Sequence, residues 1–360
     1  MDHTLFIPKK TTNKITSGQT TWQSPSNIAL VKYWGKKPVQ LPQNSSVSFT
    51  LQHCHTTTTV HYDTNIQPGK EIDFTIFLDG VAAPDFKPKI KGFFERIAHY
   101  MPFLKDYRFT IETSNSFPHS SGIASSASGM SALSLCLMDM ERALYPEITD
   151  AYFYEKASFL ARLGSGSACR SVLGPLVVWG VHDQVNHSDD LMGTLYPYEI
   201  HPDFRTYQDT ILLVDKGEKQ VSSTVGHGLM NQHAFAEARF TQAYDNMVKL
   251  KDVFATGDLD QFIKIVESEA LTLHAMMMTS HPYFILMKPN TLEIINEIWS
   301  YRLKTGSKVC FTLDAGANVH LLYPAAEKEQ VDTFISKKLS RYCQNNHYID
   351  DRVGNGAKKM

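Results

Sequence analysis

Pro118-His-Ser-Ser-Gly-Ile-Ala-Ser-Ser-Ala127 is a run of small, hydroxylated residues between two apolar segments. Upstream, residues 108–113 read as a strand; downstream, 128–144 is apolar nearly all round, the mark of a helix in the middle of a domain. A Gly/Ser loop that leaves a strand and opens a helix turns free N–H groups and hydroxyls toward a point where the helix dipole favours negative charge. That predicts a phosphate cradle. The run has neither the Gly-Lys-Ser/Thr of a Walker A loop nor the Gly-x-Gly-x-x-Gly of dinucleotide folds. A plain Ser/Gly turn with a helix cap would look the same, so the rest of the chain must decide.

Gly164-Ser-Gly-Ser-Ala-Cys-Arg170 closes a helix predicted over 150–163, with Asp150 as its N-cap. It sets Arg170 about one helical turn past Ser165 and Ser167, and a guanidinium fork matches phosphate or carboxylate oxygens. Asp314-Ala-Gly-Ala-Asn318 follows the apolar strand 309–313, which displays Asp314 at a turn on a rigid strand end. In Asn27-Ile-Ala-Leu-Val-Lys-Tyr-Trp-Gly-Lys36, an extended chain would put Ile28, Leu30 and Lys32 on one face. A lysine among core residues is costly to desolvate, so Lys32 asks for a carboxylate or phosphate partner. Tyr33, Trp34 and Lys36 add aromatic surface and a second cation.

The chain has 360 residues, 42% apolar and 11% aromatic, enough for a large core in two domains or one large one. Lys+Arg of 35 against Asp+Glu of 37 gives a net charge of -2, so no bulk attraction to nucleic acid or anionic membrane is expected. Any anion must be gripped locally. No apolar run is long enough to span a bilayer and the start has no signal-like segment, which predicts a cytoplasmic protein. Five scattered cysteines, Cys54, Cys136, Cys169, Cys310 and Cys343, read as reduced thiols. His53, Cys54, His55 and His61 lack an established metal-ligand spacing, and no protein metal site is expected.

Working outward, residues 1–20 read as an arm or an added edge strand, followed by an antiparallel start: 27–34, 47–51, 56–62 and 73–78, turning at Asp79-Gly80. Ile90, Phe93, Phe94, Ile97 and Met101 recur at helical spacing. A strand at 175–179 leads to a polar loop, 181–205, where the domain boundary is placed. The second half reads as a strand at 210–214, helices over 231–256, 258–278 and 291–304, strands 308–313 and 318–323, and a last helix at 326–342. The expected organisation is an N-terminal arm (1–20) and two domains, 21–200 and 201–360.

These stretches together resemble the GHMP family of small-molecule kinases, whose loop Pro-x-x-x-Gly-Leu-x-Ser-Ser-Ala is matched by Pro118 to Ala127 with Ile123 in place of Leu. Within it the chain is similar to the diphosphomevalonate decarboxylases. The matching runs are Asn27 to Lys36, Asn44-Ser-Ser-Val-Ser48, Gly164 to Ser171, Val221-Ser-Ser-Thr224 and Asp314-Ala-Gly-x-Asn318, in the family's order. It departs at Lys37-Pro38, Gly174-Pro175 and Ala317. The resemblance implies a two-domain α/β (α+β) fold with the site between the domains, and ATP-dependent conversion of mevalonate 5-diphosphate to isopentenyl diphosphate, ADP, phosphate and CO2. It implies that Asp314, Lys32 and Arg170 act on the reacting centre, and that Tyr33, Lys36, Ser165, Gly166 and Ser167 bind substrate. Ser120, Ser121, Gly122, Ser125, Ser126 and Ser222 would hold ATP, with magnesium carried on the triphosphate. A homodimer is the expected assembly. A GHMP mevalonate 3-kinase, a decarboxylase of the monophosphate and a non-catalytic binding protein are the alternatives.

Overall fold

The computed structural model describes every residue except 1, 10, 12, 66–71, 119–122 and 218–222, with the backbone alone at 223 and 224. Two long antiparallel strands organise the first half: β1 (Ser17–Val31) and β2 (Ser46–Thr64), paired from Ser17–Asp63 to Val31–Val47. Ser17 to Thr20, within the expected arm, thus open the main sheet. β3 (Asp73–Leu78), β4 (Tyr107–Asn115) and β5 (Leu176–Trp179) join it; β4 and β5 pair antiparallel with the two halves of β2, and β3 runs parallel to β4. The two predicted segments 47–51 and 56–62 are one continuous strand.

Helices α1 (Lys87–Ile97), α2 (Ser125–Leu144) and α3 (Asp150–Gly164) cover one face of this sheet. Along the second half of β2, Thr56, Thr58 and Val60 are buried while Thr57 and Thr59 are half-buried, the alternation of a strand with one covered face. The α2 helix is buried on almost every side, as its all-round apolar sequence predicts, and each large side chain so buried contributes about 1.5–3 kcal/mol. It meets α3 partly through an ion pair, Glu141 with Lys156, both fully buried; Lys156 also donates to the Tyr100 carbonyl at 2.9 Å. Thr149, not Asp150, caps α3: its hydroxyl accepts from the Tyr152 N–H, leaving Asp150 as the first helical residue.

The alternation expected for 27–34 does not hold. Every residue from Ser24 to Gly35 is buried, β1 ends at Val31, and its pairing with β2 shifts register at Pro25/Asn27 and again at Ala29/Val31. The first shift leaves three extra residues on β2 and the second one extra residue on β1, so the ladder loses its two-residue period there. Lys32 therefore follows the strand instead of sharing a face with Ile28 and Leu30.

The second half is an antiparallel sheet of β6 (Gln208–Leu212), β7 (Cys310–Leu313), β8 (Val319–Tyr323) and β9 (Tyr348–Arg352), in the order β7-β8-β6-β9. Its helices are α4 (Ala236–Thr256), α5 (Leu259–Met278), α6 (Pro289–Thr305) and α7 (Lys328–Phe334). The last continues through a π turn, Ile335–Leu339, and a 3-10 turn, Ser340–Tyr342. The final strand, β10 (Lys358–Lys359), crosses back to pair with Trp22 and Gln23 of β1. On the same path the Asp351 carboxylate accepts the N–H groups of Gln52 (2.9 Å), His53 (2.8 Å) and Cys54 (2.7 Å). Among the described residues no helix is long and apolar enough to cross a membrane.

Candidate active site

A cleft of about 750 Å³ collects Lys32 from the end of β1, Arg170 and Ser165 to Ser167 from the turn after α3, Ser125 and Ser126 from the start of α2, and Asp314 from the end of β7. Lys32 Nζ donates to Asp314 Oδ1 at 3.4 Å. Only 1% of Lys32 is exposed, and burial pushes its pKa down while the Asp314 charge opposes that shift. This carboxylate is the anionic partner that the lysine's setting required. The lysine's backbone is held as firmly: its N–H donates to Glu269 Oε2 (2.8 Å), and its carbonyl accepts from Asn44 Nδ2 and Arg239 Nη2 (both 2.9 Å).

Asp314 is positioned from α5, where His274 Nε2 lies 3.1 Å from its carbonyl oxygen. Burial drives the His274 pKa down to about 4, so near neutral pH the ring is uncharged and donates its Nε2–H. Arg170 is buried in the 3-10 turn Gly166–Ser171. Its Nε donates to Ser48 Oγ (2.6 Å) and its Nη1 to Ser46 Oγ (2.7 Å), and its guanidinium lies 5.6 Å from the Trp179 ring centre. Two hydroxyls on alternate residues of β2 thereby fix the plane of the fork.

Tyr33 packs between Trp179 (4.5 Å between ring centres) and His227 (4.2 Å), and its buried hydroxyl makes no hydrogen bond among the described residues. A side chain at Gly166 would meet that hydroxyl at 2.9 Å and the Trp179 ring at 2.8 Å, so only glycine lets the turn lie this close. The half-buried Ser165 and Ser167 flank it, and Asn27 ties the turn down by donating to the Ser167 carbonyl (3.2 Å) and to Ser171 Oγ (2.8 Å). Lys36 begins a two-residue ladder with Leu41 and Pro42; burial, then the charges of Arg96 and Lys89, bring its pKa down to about 8.

On the expected nucleotide side, Ser120, Ser121, Gly122 and Ser222 lie outside the described residues. Ser125 and Ser126 occupy the first turn of α2, and Lys89 of α1 donates to Ser126 Oγ at 2.7 Å. Ala124, just before the helix, sits in the left-handed region (φ 47°), at a cost of about 1–2 kcal/mol for a residue with a Cβ. The Ile123 carbonyl beside it accepts from Ser26 Oγ at 2.5 Å. A narrow apolar slot walled by Ile76, Leu78, Phe86, Ile90, Ile111 and Leu133 reaches Ser125 and Ser126.

Lys32, Lys36, Lys89, Arg96 and Arg170 line the cleft against one carboxylate among the described residues, Asp314. Such a surplus suits a ligand with several negative charges. Of these, Lys89 and Arg96 escaped the sequence reading because they lie on α1, where they read as solvated helix positions. His227 was missed too. It is 6% exposed, accepts the Gly35 N–H at Nδ1 (3.0 Å) and so carries its proton on Nε2, and its ring packs at a tilt against Tyr33 and Trp34. Ser46 and Ser48 alternate with Val47 and Phe49, a pattern that puts two hydroxyls on one buried face and could have flagged them. Among the described residues no group of three or more His, Cys, Asp or Glu side chains could hold a metal.

Two family models account for most of the chain: a diphosphomevalonate decarboxylase-like N-terminal domain over 24–191 and a mevalonate 5-diphosphate decarboxylase C-terminal domain over 210–359. A diphosphomevalonate decarboxylase of Ganoderma lucidum is 31% identical over 355 residues, covering 92% of this chain and 84% of the relative. A solved complex of MDDEF with MVAPP, AMPPCP and magnesium superposes with a TM-score of 0.80 at 28% identity, over 95% of this chain and 98% of the other. The mevalonate diphosphate decarboxylase from Enterococcus faecalis, solved for its mevalonate diphosphate mediated ATP binding mechanism, gives 0.79 at 26% identity over the same shares.

Proposed function

The chain belongs to the diphosphomevalonate decarboxylases, and from that premise we propose that its cleft turns mevalonate 5-diphosphate and ATP into isopentenyl diphosphate, ADP, phosphate and CO2. The observation that carries this reading is the Lys32–Asp314 contact, an acid beside a buried ammonium in an otherwise cationic cleft. The relatives' complexes with MVAPP and with AMPPCP and magnesium support the same ligands here.

The chemistry assigns each residue a task. The 3-hydroxyl of the substrate is a tertiary alcohol and a poor nucleophile, so Asp314 takes or orients its proton. ATP supplies the γ-phosphoryl group that makes this oxygen a leaving group, and magnesium carried in on the nucleotide would offset part of the triphosphate charge. The cleft's donor set fits a metal that arrives on the nucleotide, because Asp314 is the sole carboxylate lining it among the described residues. When the C3–O bond breaks, the C1–C2 electron pair forms the new double bond and CO2 leaves. Lys32 and Arg170 then stabilise the departing phosphate, a charge that grows only as the bond breaks.

Tyr33, Lys36, Ser165, Gly166 and Ser167 are assigned to the substrate's diphosphate and carboxylate, the Tyr33 hydroxyl being a buried group with no partner among the described residues. Ser125 and Ser126 are assigned to the ATP phosphates, with Ser120, Ser121, Gly122 and Ser222 alongside; the apolar slot beside them suits a nucleobase. The same family likeness favours a cytoplasmic homodimer and a division into domains near residue 200, which sedimentation and limited proteolysis would check.

The deciding experiment incubates the purified protein with Mg-ATP and mevalonate 5-diphosphate. Equal amounts of ADP and CO2 are expected. ADP with a stable 3-phosphorylated product and no CO2 would make the protein a kinase.

A further inference from the structure

This function depends on the gap between an ammonium that follows β1 and a carboxylate that follows β7. One helix holds both. Glu269 of α5 accepts the Lys32 N–H at 2.8 Å, and His274, farther along α5, lies 3.1 Å from the Asp314 carbonyl. Glu269 is itself locked: Arg239 of α4 donates to both of its oxygens (3.1 and 2.6 Å) and Asn246 to Oε1 (2.7 Å). With the Lys32 N–H, these donors fill the carboxylate's acceptor positions. Arg239 Nη2 also donates to the Lys32 carbonyl, so the peptide groups on both sides of the Lys32 Cα are gripped.

Glu269, Arg239 and His274 are each at most 1% exposed, and none of them lines the cleft. A buried ion pair adds little net stability, since desolvation offsets its Coulomb energy. What this one supplies is placement. We propose that Glu269 and His274 are positioning residues for the decarboxylation, with α5 as the ruler that sets the Lys32–Asp314 separation and with Arg239 and Asn246 fixing Glu269.

The assignment rests on the decarboxylase reading, so CO2 release by the parent protein is measured first; its absence overturns the function and this assignment together. Glu269→Gln keeps the shape and an acceptor for the Lys32 N–H while removing the charge. Because small misplacements of reacting groups can cost up to ~10²-fold, kcat should fall at least ~10-fold while KM for ATP and for the diphosphate stays within ~3-fold. The charged groups around Lys32 are Asp314, Glu269 and Arg170, with Asp209 and His274 also within electrostatic range. Removing the Glu269 charge therefore moves the alkaline limb of kcat to lower pH. His274→Gln retains a donor and should keep kcat within ~3-fold of the parent, whereas His274→Phe should lose at least ~10-fold. If Glu269→Gln does not fold, Asn246→Ala, which leaves the charge pair whole, should lower kcat at least ~3-fold with KM unchanged. Folded Glu269→Gln or Asn246→Ala proteins that keep parental kcat and pH profile, or that lose activity through KM alone, would overturn the proposal.

Discussion

Lys32 Nζ and Asp314 Oδ1 sit 3.4 Å apart although 282 residues separate them in the chain. The lysine is buried and the carboxylate is about one-third exposed toward the cleft, so the pair presents its acidic end to whatever binds there. Substituting Asp314 by Asn preserves size and one acceptor but removes both charge and basicity. CO2 release should drop at least ~10²-fold, the scale of a general base, with the diphosphate still bound. Near-parental turnover by a folded variant, in a coupled ADP assay, would remove Asp314 from the mechanism.

Arg170→Lys tests the fork. A lysine ammonium cannot reach Ser46 and Ser48 together in the plane that the guanidinium occupies. The rate should fall well beyond threefold while ATP affinity, measured by equilibrium binding, stays near that of the parent. A loss within about threefold, roughly 0.7 kcal/mol of barrier, would mean that Arg170 only supports the turn.

Lys36 gives a pH prediction. Its pKa is depressed to about 8, so the free protein loses this cation as pH rises through 8, well before an ordinary lysine would. The kcat/KM for the diphosphate, which reports the free enzyme's ionisations, should decline along an alkaline limb near that value. Lys36→Arg, always charged, should remove the limb. A limb unaltered by the exchange would assign it to another group.

The Glu141–Lys156 pair concerns stability rather than chemistry. Lys156→Met leaves Glu141 buried without a counter-charge, which should cost about 3–5 kcal/mol in denaturant unfolding. Adding Glu141→Leu should recover most of that loss. Activity per folded molecule should be unchanged throughout, since neither residue lines the cleft.

The three residues that meet in the cleft could be picked out because each sits in a short run unusual for a charge: Lys32 among apolar residues, Arg170 in a Gly/Ser turn, and Asp314 before Ala-Gly at a strand end. The α1 helix was equally plain from its spacing, and α2 from a run apolar nearly all round. What stayed hidden is what only three-dimensional packing creates. Glu269 and His274 are ordinary residues of an amphipathic helix until α5 meets β1 and β7, and nothing local marks the pairing of Arg239 with Glu269. The register shifts in β1 cancelled the alternation that would have placed Lys32 in a strand. The strands β9 and β10 escaped because Tyr348 to Arg352 is mostly polar and Lys358-Lys359 has no apolar face; their partners decide their conformation.

The return of residues 348–359 to the first half bears on how the molecule is made. On the ribosome, β1 and β2 emerge some 300 residues before the segment that finishes them, so the amides of Gln52, His53 and Cys54 wait for Asp351 and the free side of β1 waits for Lys358 and Lys359. A domain that could otherwise fold during synthesis thus keeps an open seam until very late. Chaperone dependence should be greatest in that interval. A tag or truncation near residue 350 would be expected to lower yield of active protein although it removes no residue of the cleft.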